Sequence, residues 1–283
     1  MQKKLIAAAV AGALATPVAI ADVAVSGSIR TGVEYNGAKK EWAVEDNYSR
    51  LRFKASSDLG NGQSAFVTYE FRVHSDTGNI NGSGPTQRLT IVGIKGDWGQ
   101  LSLGSQWSTL FNTVGTFIDK SKRYGGLGYY TSGGQGRMSE SVYLSTNLGG
   151  FSVSADAQMN ADGDEDDLDR ATIGTNINIG GVGIGAAWQD NGNDDFTGIG
   201  ASIAMAGVGL SGGFTSGATS GDGFGVNASI GALRVAYEEH DSVADGRVWG
   251  HYTIGLGGGA AANIELKADG STTSGIGYLS LNF

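Results

Sequence analysis

RLRFKASSDLGNGQSAFVTYEFRVH, residues 50–74, decides the fold. Leu51, Phe53, Ala55 and Leu59 alternate with Arg50, Arg52, Lys54, Ser56 and Asp58, the two-residue period of a strand with one apolar face. Gly60-Asn61-Gly62 then reverses the chain. Beyond the turn, Ala65, Val67, Tyr69, Phe71 and Val73 alternate with Ser64, Thr68, Glu70, Arg72 and His74. The hairpin therefore has an oily face and a polar one.

The segment before it has the same design, with Val23, Val25, Ile29, Thr31, Val33 and Tyr35 opposite Ser26, Ser28, Arg30 and Glu34. Carried along the chain, the pattern predicts about sixteen strands, each near the ~9–11 residues that cross a bilayer at a tilt. The first eight are 22–35, 48–59, 63–75, 86–96, 99–107, 137–147, 150–160 and 169–180. The others are 182–190, 196–206, 208–216, 222–230, 232–241, 246–256, 259–268 and 273–283. Connections alternate in length. Tight turns at 60–62, 97–98, 149–150, 181, 206–207, 231 and 257–259 fall at one rim. Longer polar links at 36–47, 76–85, 108–136, 161–168, 191–195, 217–221, 242–245 and 269–272 fall at the other. Short turns on one side and longer loops on the other are expected of a bacterial membrane barrel with an even strand count.

Residues 1–21 read as a cleaved secretory signal, with Lys3 and Lys4, an apolar stretch from Leu5 to Ile20, and Ala19-Ile20-Ala21 before Asp22. This leaves 22–283 as the mature domain. Past the signal no apolar run approaches the ~20 residues of a membrane helix. A membrane-embedded mature chain must then be a closed sheet, which satisfies its backbone groups internally. There is no cysteine, which removes disulfides and thiolate chemistry. Loss of Lys3 and Lys4 takes the formal charge from −9 to −11, which argues against a nucleic-acid partner. With 49 glycines and 2 prolines, the composition suits strands that bend and pack closely in a curved sheet. Aromatics gather at strand ends on the apolar face: Tyr35, Phe71, Trp107, Trp188, Phe214, Phe224 and Tyr237 at the loop rim, Phe151 and Phe283 at the turn rim. They predict two interfacial girdles. A soluble barrel of this size would need an apolar interior, which the polar faces deny.

Five pieces of the chain resemble the Gram-negative general diffusion porin family. They are Ser49-Arg50-Leu51-Arg52-Phe53-Lys54, Asp58-Leu59-Gly60-Asn61-Gly62, residues 88–96 (RLTIVGIKG), residues 98–106 (WGQLSLGSQ) and the closing Tyr278-Leu279-Ser280-Leu281-Asn282-Phe283. The likeness is strongest over 22–107 and at the C-terminus. It implies an all-β, sixteen-stranded outer-membrane barrel, usually a homotrimer joined through its first and last strands and second outer loop. It also implies a third outer loop, here 108–136, folded inward. The terminal Phe283 resembles the signal read by the barrel-assembly machinery. Gln106 departs from the family, standing where many relatives carry arginine, and the later loops are short.

A pore acts by geometry and field, so its candidate residues are lumen-facing charges at the narrowest level. Arg30, Arg50, Arg52 and Arg88 lie on polar faces of early strands, and Arg137 opens the strand after the long loop. The resemblance matches Arg50 and Arg88 to the family's basic wall, with opposing acids expected from the infolded loop. In that loop Asp119 is the one carboxylate, beside Lys120, Lys122 and Arg123. The expected function is passive diffusion of small hydrophilic solutes and ions across the outer membrane of a Gram-negative bacterium, amid lipid and lipopolysaccharide. No cofactor or catalysis is expected. The alternative is a sugar- or carboxylate-specific channel. A sugar channel would need an aromatic slide, and the polar faces as read hold few aromatics. Ion preference stays open, since acidic outer loops favour cations and the early basic strands favour anions.

Three motifs are set aside. The acidic run Asp162, Asp164, Glu165, Asp166, Asp167 and Asp169 lacks the glycine and glutamate of an EF-hand loop, leaving loose divalent binding or a solvated loop. Gly209-Leu210-Ser211-Gly212-Gly213, with His240 or His251 as base, mimics a nucleophile elbow, but no amphipathic helix comes after it. Gly255–Ala260 mimics a dinucleotide fingerprint and reads better as a strand turn.

Overall fold

A computed structural model describes residues 22–80, 87–159, 168–192 and 194–283. The expected signal, and residues 160–167 of the acidic run, lie outside the described residues. The alternating segments form one antiparallel sheet in which sequence neighbours pair. Its first half comprises β1 Asp22–Asn36, β2 in two parts (Glu41–Asp46 and Arg50–Gly60), β3 Gln63–His74, β4 Gln87–Gly96, β5 Gly99–Trp107, β6 Arg137–Leu148, β7 Phe151–Gln158 and β8 Arg170–Ile179. The second half comprises β9 Val182–Asp190, β10 Phe196–Met205, β11 Val208–Gly217, β12 Gly221–Ile230, β13 Leu233–His240, β14 Arg247–Gly257, β15 Ala260–Asp269 and β16 Thr272–Asn282. β16 closes on β1, from Ser28 opposite Asn282 to Tyr35 opposite Gly275. The last residue joins this seam: Gly27 N–H donates to the Phe283 carbonyl at 2.8 Å, and Phe283 N–H donates back to Gly27 at 3.2 Å.

Burial is inverted relative to a water-soluble protein. Val92, Leu103, Ile199, Leu266 and Leu279 point outward and exposed, whereas Glu70, Ser102, Gln189, Glu238 and Glu265 are buried on the inner face. Such a wall is stable only against hydrocarbon outside and polar partners inside. Two apolar clusters are buried among the described residues: Leu110, Val114, Ile118 and Tyr129 of segment 108–136 meet Ala187 and Phe196 of the wall, and Tyr124 of the same segment meets Ala236, Trp249, Ile276 and Tyr278.

Turns at the short rim follow from local chemistry. At Ala206-Gly207 both residues have positive φ (52° and 80°), the geometry of a two-residue hairpin turn matched to strand twist. Alanine is poorly suited to that conformation.

Two local slips depart from simple alternation. β2 begins at Glu41, well before the expected start at 48, because Val44 and Trp42 pair across from Val33 and Tyr35. Asn47, Tyr48 and Ser49 then face only Ile29 and Arg30, a bulge in which Tyr48 has φ 58°. The second slip corrects the placing of Trp107 on the lipid face. Between β5 and β6 the register jumps from Gly104–Ser141 to Gln106–Met138, with Gly104 at φ 121° and Glu140 at φ 50°. The jump turns Trp107 inward, where Phe111 stacks on it at 4.4 Å. The serine motif at 209–213 lies within strand β11, and 255–260 spans the end of β14 and its turn into β15, so neither has the helix its chemistry needs.

Candidate functional site

The segment 108–136 is seated first by shape. It carries short helical turns at Phe111–Gly115, Thr116–Ile118 and Leu127–Tyr130. Opposite them several inner positions of β8 to β12 are glycines. A Cβ on Gly198 would lie 2.9 Å from Val114 Cγ1, and one on Gly225 2.6 Å from Ile118 Cγ2. Gly200 likewise leaves room for Phe117, and Gly174 for Thr109 and Thr113. Asn227 closes the contact by donating from Nδ2 to the carbonyls of Phe117 and Ile118, both at 3.2 Å.

Three wall carboxylates then hold the rest of the segment. Glu238 accepts from the N–H groups of Gly126 (3.1 Å) and Leu127 and from Trp249 Nε1 (2.8 Å). Glu265 accepts from Ser121 Oγ (2.5 Å), Arg123 N–H (3.0 Å) and the Tyr278 hydroxyl (2.8 Å). Glu34 takes the Arg123 guanidinium in an ion pair and the Tyr124 hydroxyl at 2.9 Å. Buried carboxylates need such donors, and charge-assisted bonds are the strong kind.

Opposite this seat lies the charged wall. Arg50, Arg88 and Arg137, with Lys122 and Asp119 of the segment, line one open cavity of about 710 Å³, together with Tyr48 and Tyr130. Among the described residues Asp119 is the only carboxylate lining it. Glu70 lies buried between Arg88 and Arg52 on the inner face, accepting from Arg88 Nε at 2.6 Å and from Arg52 Nε at 2.8 Å. Arg50 has no such partner among the described residues; its Nε reaches only the Tyr48 carbonyl, at 3.4 Å. Arg137 lies over the Trp107 ring at 5.1 Å from the centroid and Arg88 at 5.7 Å, within cation–π range.

Burial pushes the Asp119 carboxyl above the usual aspartate range, partly offset by the Tyr130 hydroxyl, which donates to it at 3.0 Å, and by Lys122. Burial, then the neighbouring Arg30 and Arg50, lowers the Lys122 ammonium. Burial also opposes the charge of Arg123, but its bond to Glu34 prevails and raises it.

The nine candidates therefore fall into three places. Arg50, Arg88, Arg137, Asp119 and Lys122 share the cavity. Arg30 and Arg52 line a second space of about 230 Å³, which also reaches Arg50 and is bordered by Ser28 and Asn282. Arg123 is spent on Glu34, and the Lys120 carbonyl accepts from Arg234 at 3.0 Å. Sequence reasoning missed the aromatics: Tyr48, Trp107, Phe111 and Tyr130 all line the cavity, correcting the reading that few aromatics face the lumen. Tyr48 and Trp107 arrive there through bulges, and Phe111 and Tyr130 through segment 108–136, so period-two alternation carried no sign of them.

Comparison with known proteins places this geometry. The Gram-negative porin profile matches residues 7–249. The major outer membrane protein P.IB of Neisseria meningitidis serogroup B is 37% identical over 125 residues, 40% of this chain and 36% of that protein. Outer membrane porin protein 32 of Delftia acidovorans is 28% identical over 212 residues, 68% of this chain and 57% of that protein. The chain thus spans about a third to just over half the length of these relatives. Among solved structures, Salmonella typhi OmpF in complex with daunomycin superposes with a TM-score of 0.75 at 14% identity, covering 92% of this chain and 97% of that one. The anion-selective porin from Comamonas acidovorans superposes with a TM-score of 0.73 at 18% identity, covering 93% and 100%. The chain belongs to the Gram-negative porin family and is a sixteen-stranded β-barrel of the outer membrane.

Proposed function

We propose that the barrel is a passive diffusion channel for small hydrophilic solutes and ions, narrowed by segment 108–136 and favouring anions. The observation that carries the reading is the charge of the cavity: Arg50, Arg88, Arg137 and Lys122 against Asp119 alone. A lumen lined by one sign of charge between low-dielectric walls concentrates the opposite ion. The Comamonas protein is described as an anion-selective porin, in keeping with this preference. Arg30 and Arg52 extend the basic track toward the turn rim, while Lys120 and Arg123 act by seating the segment. The alternative, a carboxylate-specific channel, draws on the same cations.

The wider assembly is that of the family. Residues 1–21 direct export and are cleaved. The mature chain forms a homotrimer, and Vibrio cholerae OmpT has been solved in a trimer form. Phe283 addresses the barrel-assembly machinery, and the loop rim meets lipopolysaccharide. Reversal potentials of the refolded protein in a planar bilayer under a KCl gradient test the channel reading. Chloride preference is expected, and replacing Arg50 and Arg88 by glutamate should shift it toward potassium. No ohmic conductance would end the channel reading; an unmoved potential would displace the constriction from these arginines.

A further inference from the structure

The cavity combines charge with an ordered aromatic surface. Trp107, Phe111 and Tyr130 stack in sequence, at 4.4 Å with 18° between the first pair of planes and 6.4 Å with 23° between the second. Tyr130 ends the stack with 42% of its surface exposed. Its hydroxyl is fixed on Asp119 at 3.0 Å, so the ring is held and does not swing free. Across the same space Arg50, Lys122 and Arg137 have no carboxylate within ion-pair distance among the described residues. A simple inorganic anion would use these cations and leave the ring face wet. A neutral sugar would use the rings and leave the cations unanswered.

A planar ring bearing a carboxylate answers both. We propose that this constriction is a binding site for aromatic carboxylates, with the carboxylate on the arginine cluster and the ring against Tyr130. The inference rests on the anion-channel reading and specifies its ligand. Ring–ring contact contributes beyond plain area burial. An aromatic acid should therefore exceed a saturated ring acid of the same charge and similar size, even though the saturated ring is the more hydrophobic. A purely apolar pocket would rank the two the other way.

The test is block of chloride current through the refolded wild-type channel by sodium benzoate and by sodium cyclohexanecarboxylate. Half-block by benzoate is expected at a concentration roughly 2- to 12-fold lower, the span given by one aromatic pair. Tyr130→Leu should bring the ratio close to one. The wild-type comparison stands even where the variant fails to refold. Chloride preference with equal block by the two acids, or stronger block by the saturated one, overturns the aromatic site alone. Absence of chloride preference in the wild type overturns the anion-channel reading and the site together.

Discussion

Substituting Gly198 by alanine sets two forces on segment 108–136 against each other. The new methyl would lie 2.9, 3.2 and 3.4 Å from Cγ1, Cγ2 and Cβ of Val114. Val114 is β-branched and sits in a helical turn, so its χ1 has little freedom to escape. Overpacking of this kind costs about 1–3 kcal/mol. Holding the segment down are Glu34, Glu238 and Glu265, and hydrogen bonds to charged groups contribute about 1.5–3 kcal/mol each. Counting one bond per carboxylate gives about 4.5–9 kcal/mol, so the tethers win and the released fraction stays below about one in ten. Gly198→Ala should lower the thermal midpoint of the barrel and leave single-channel conductance near the wild-type value. The combination of Gly198→Ala with Glu238→Gln and Glu265→Gln should reverse the balance, giving larger and noisier conductance steps. If Gly198→Ala alone opened the channel as far as the triple variant, the carboxylates would not be what holds the segment, and the reasoning would fail.

Three further outcomes rest on the same geometry. Asp119 takes up its proton at a higher pH than an exposed aspartate, because burial raises it. Acidification therefore removes the cavity's carboxylate early and anion selectivity should rise as pH falls; reversal potentials measured down to about pH 4 should show the rise in the wild type and none in Asp119→Asn. Since the raised carboxyl favours folding most when protonated, the same variant should gain stability chiefly at neutral pH, where wild-type Asp119 is charged. Trp107→Leu removes the ring under Arg88 and Arg137, a loss of about 0.5–2 kcal/mol per cation, so chloride preference should fall although no charge has changed; an unaltered potential would deny Trp107 that role. Ala206→Gly relieves an alanine at φ 52°, and a gain of about 1 kcal/mol in denaturant unfolding is expected.

The wall was legible because most of each strand repeats a two-residue period and most of the short turns carry glycine. Ile199 opposite Phe214 needs nothing beyond that pattern. The site was legible only in its cations. Arg50 and Arg88 obey strict alternation and point where alternation sends them. Trp107 does not, since a register jump at Gly104 reverses the parity of the residues beyond it, and no residue type marks such a jump by itself. Tyr48 escaped for the same reason. Its φ of 58° is a conformation that a tyrosine adopts only where the pairing around it demands it. Glu238 and Glu265 were visible as polar-face residues, but their partners lie more than 100 positions away in segment 108–136.

The same segment explains why the two halves of the barrel differ in composition. On β8 to β12 inner glycines take the place of side chains, and the vacated volume is filled by Leu110, Val114, Phe117 and Ile118. On β2 to β6 the inner positions carry Arg50, Arg52, Glu70, Arg88 and Arg137, and the segment borders the open space beside Arg50, Arg88 and Arg137 with Lys122, Asp119, Phe111, Tyr130 and several small residues. Had side chains of equal bulk lined the whole circumference, the segment would have had to stand in the middle of the lumen, with charge on every side of it and no cleft of one sign. Glycine on one wall thus makes room for the segment while the arginines on the other border an open cavity.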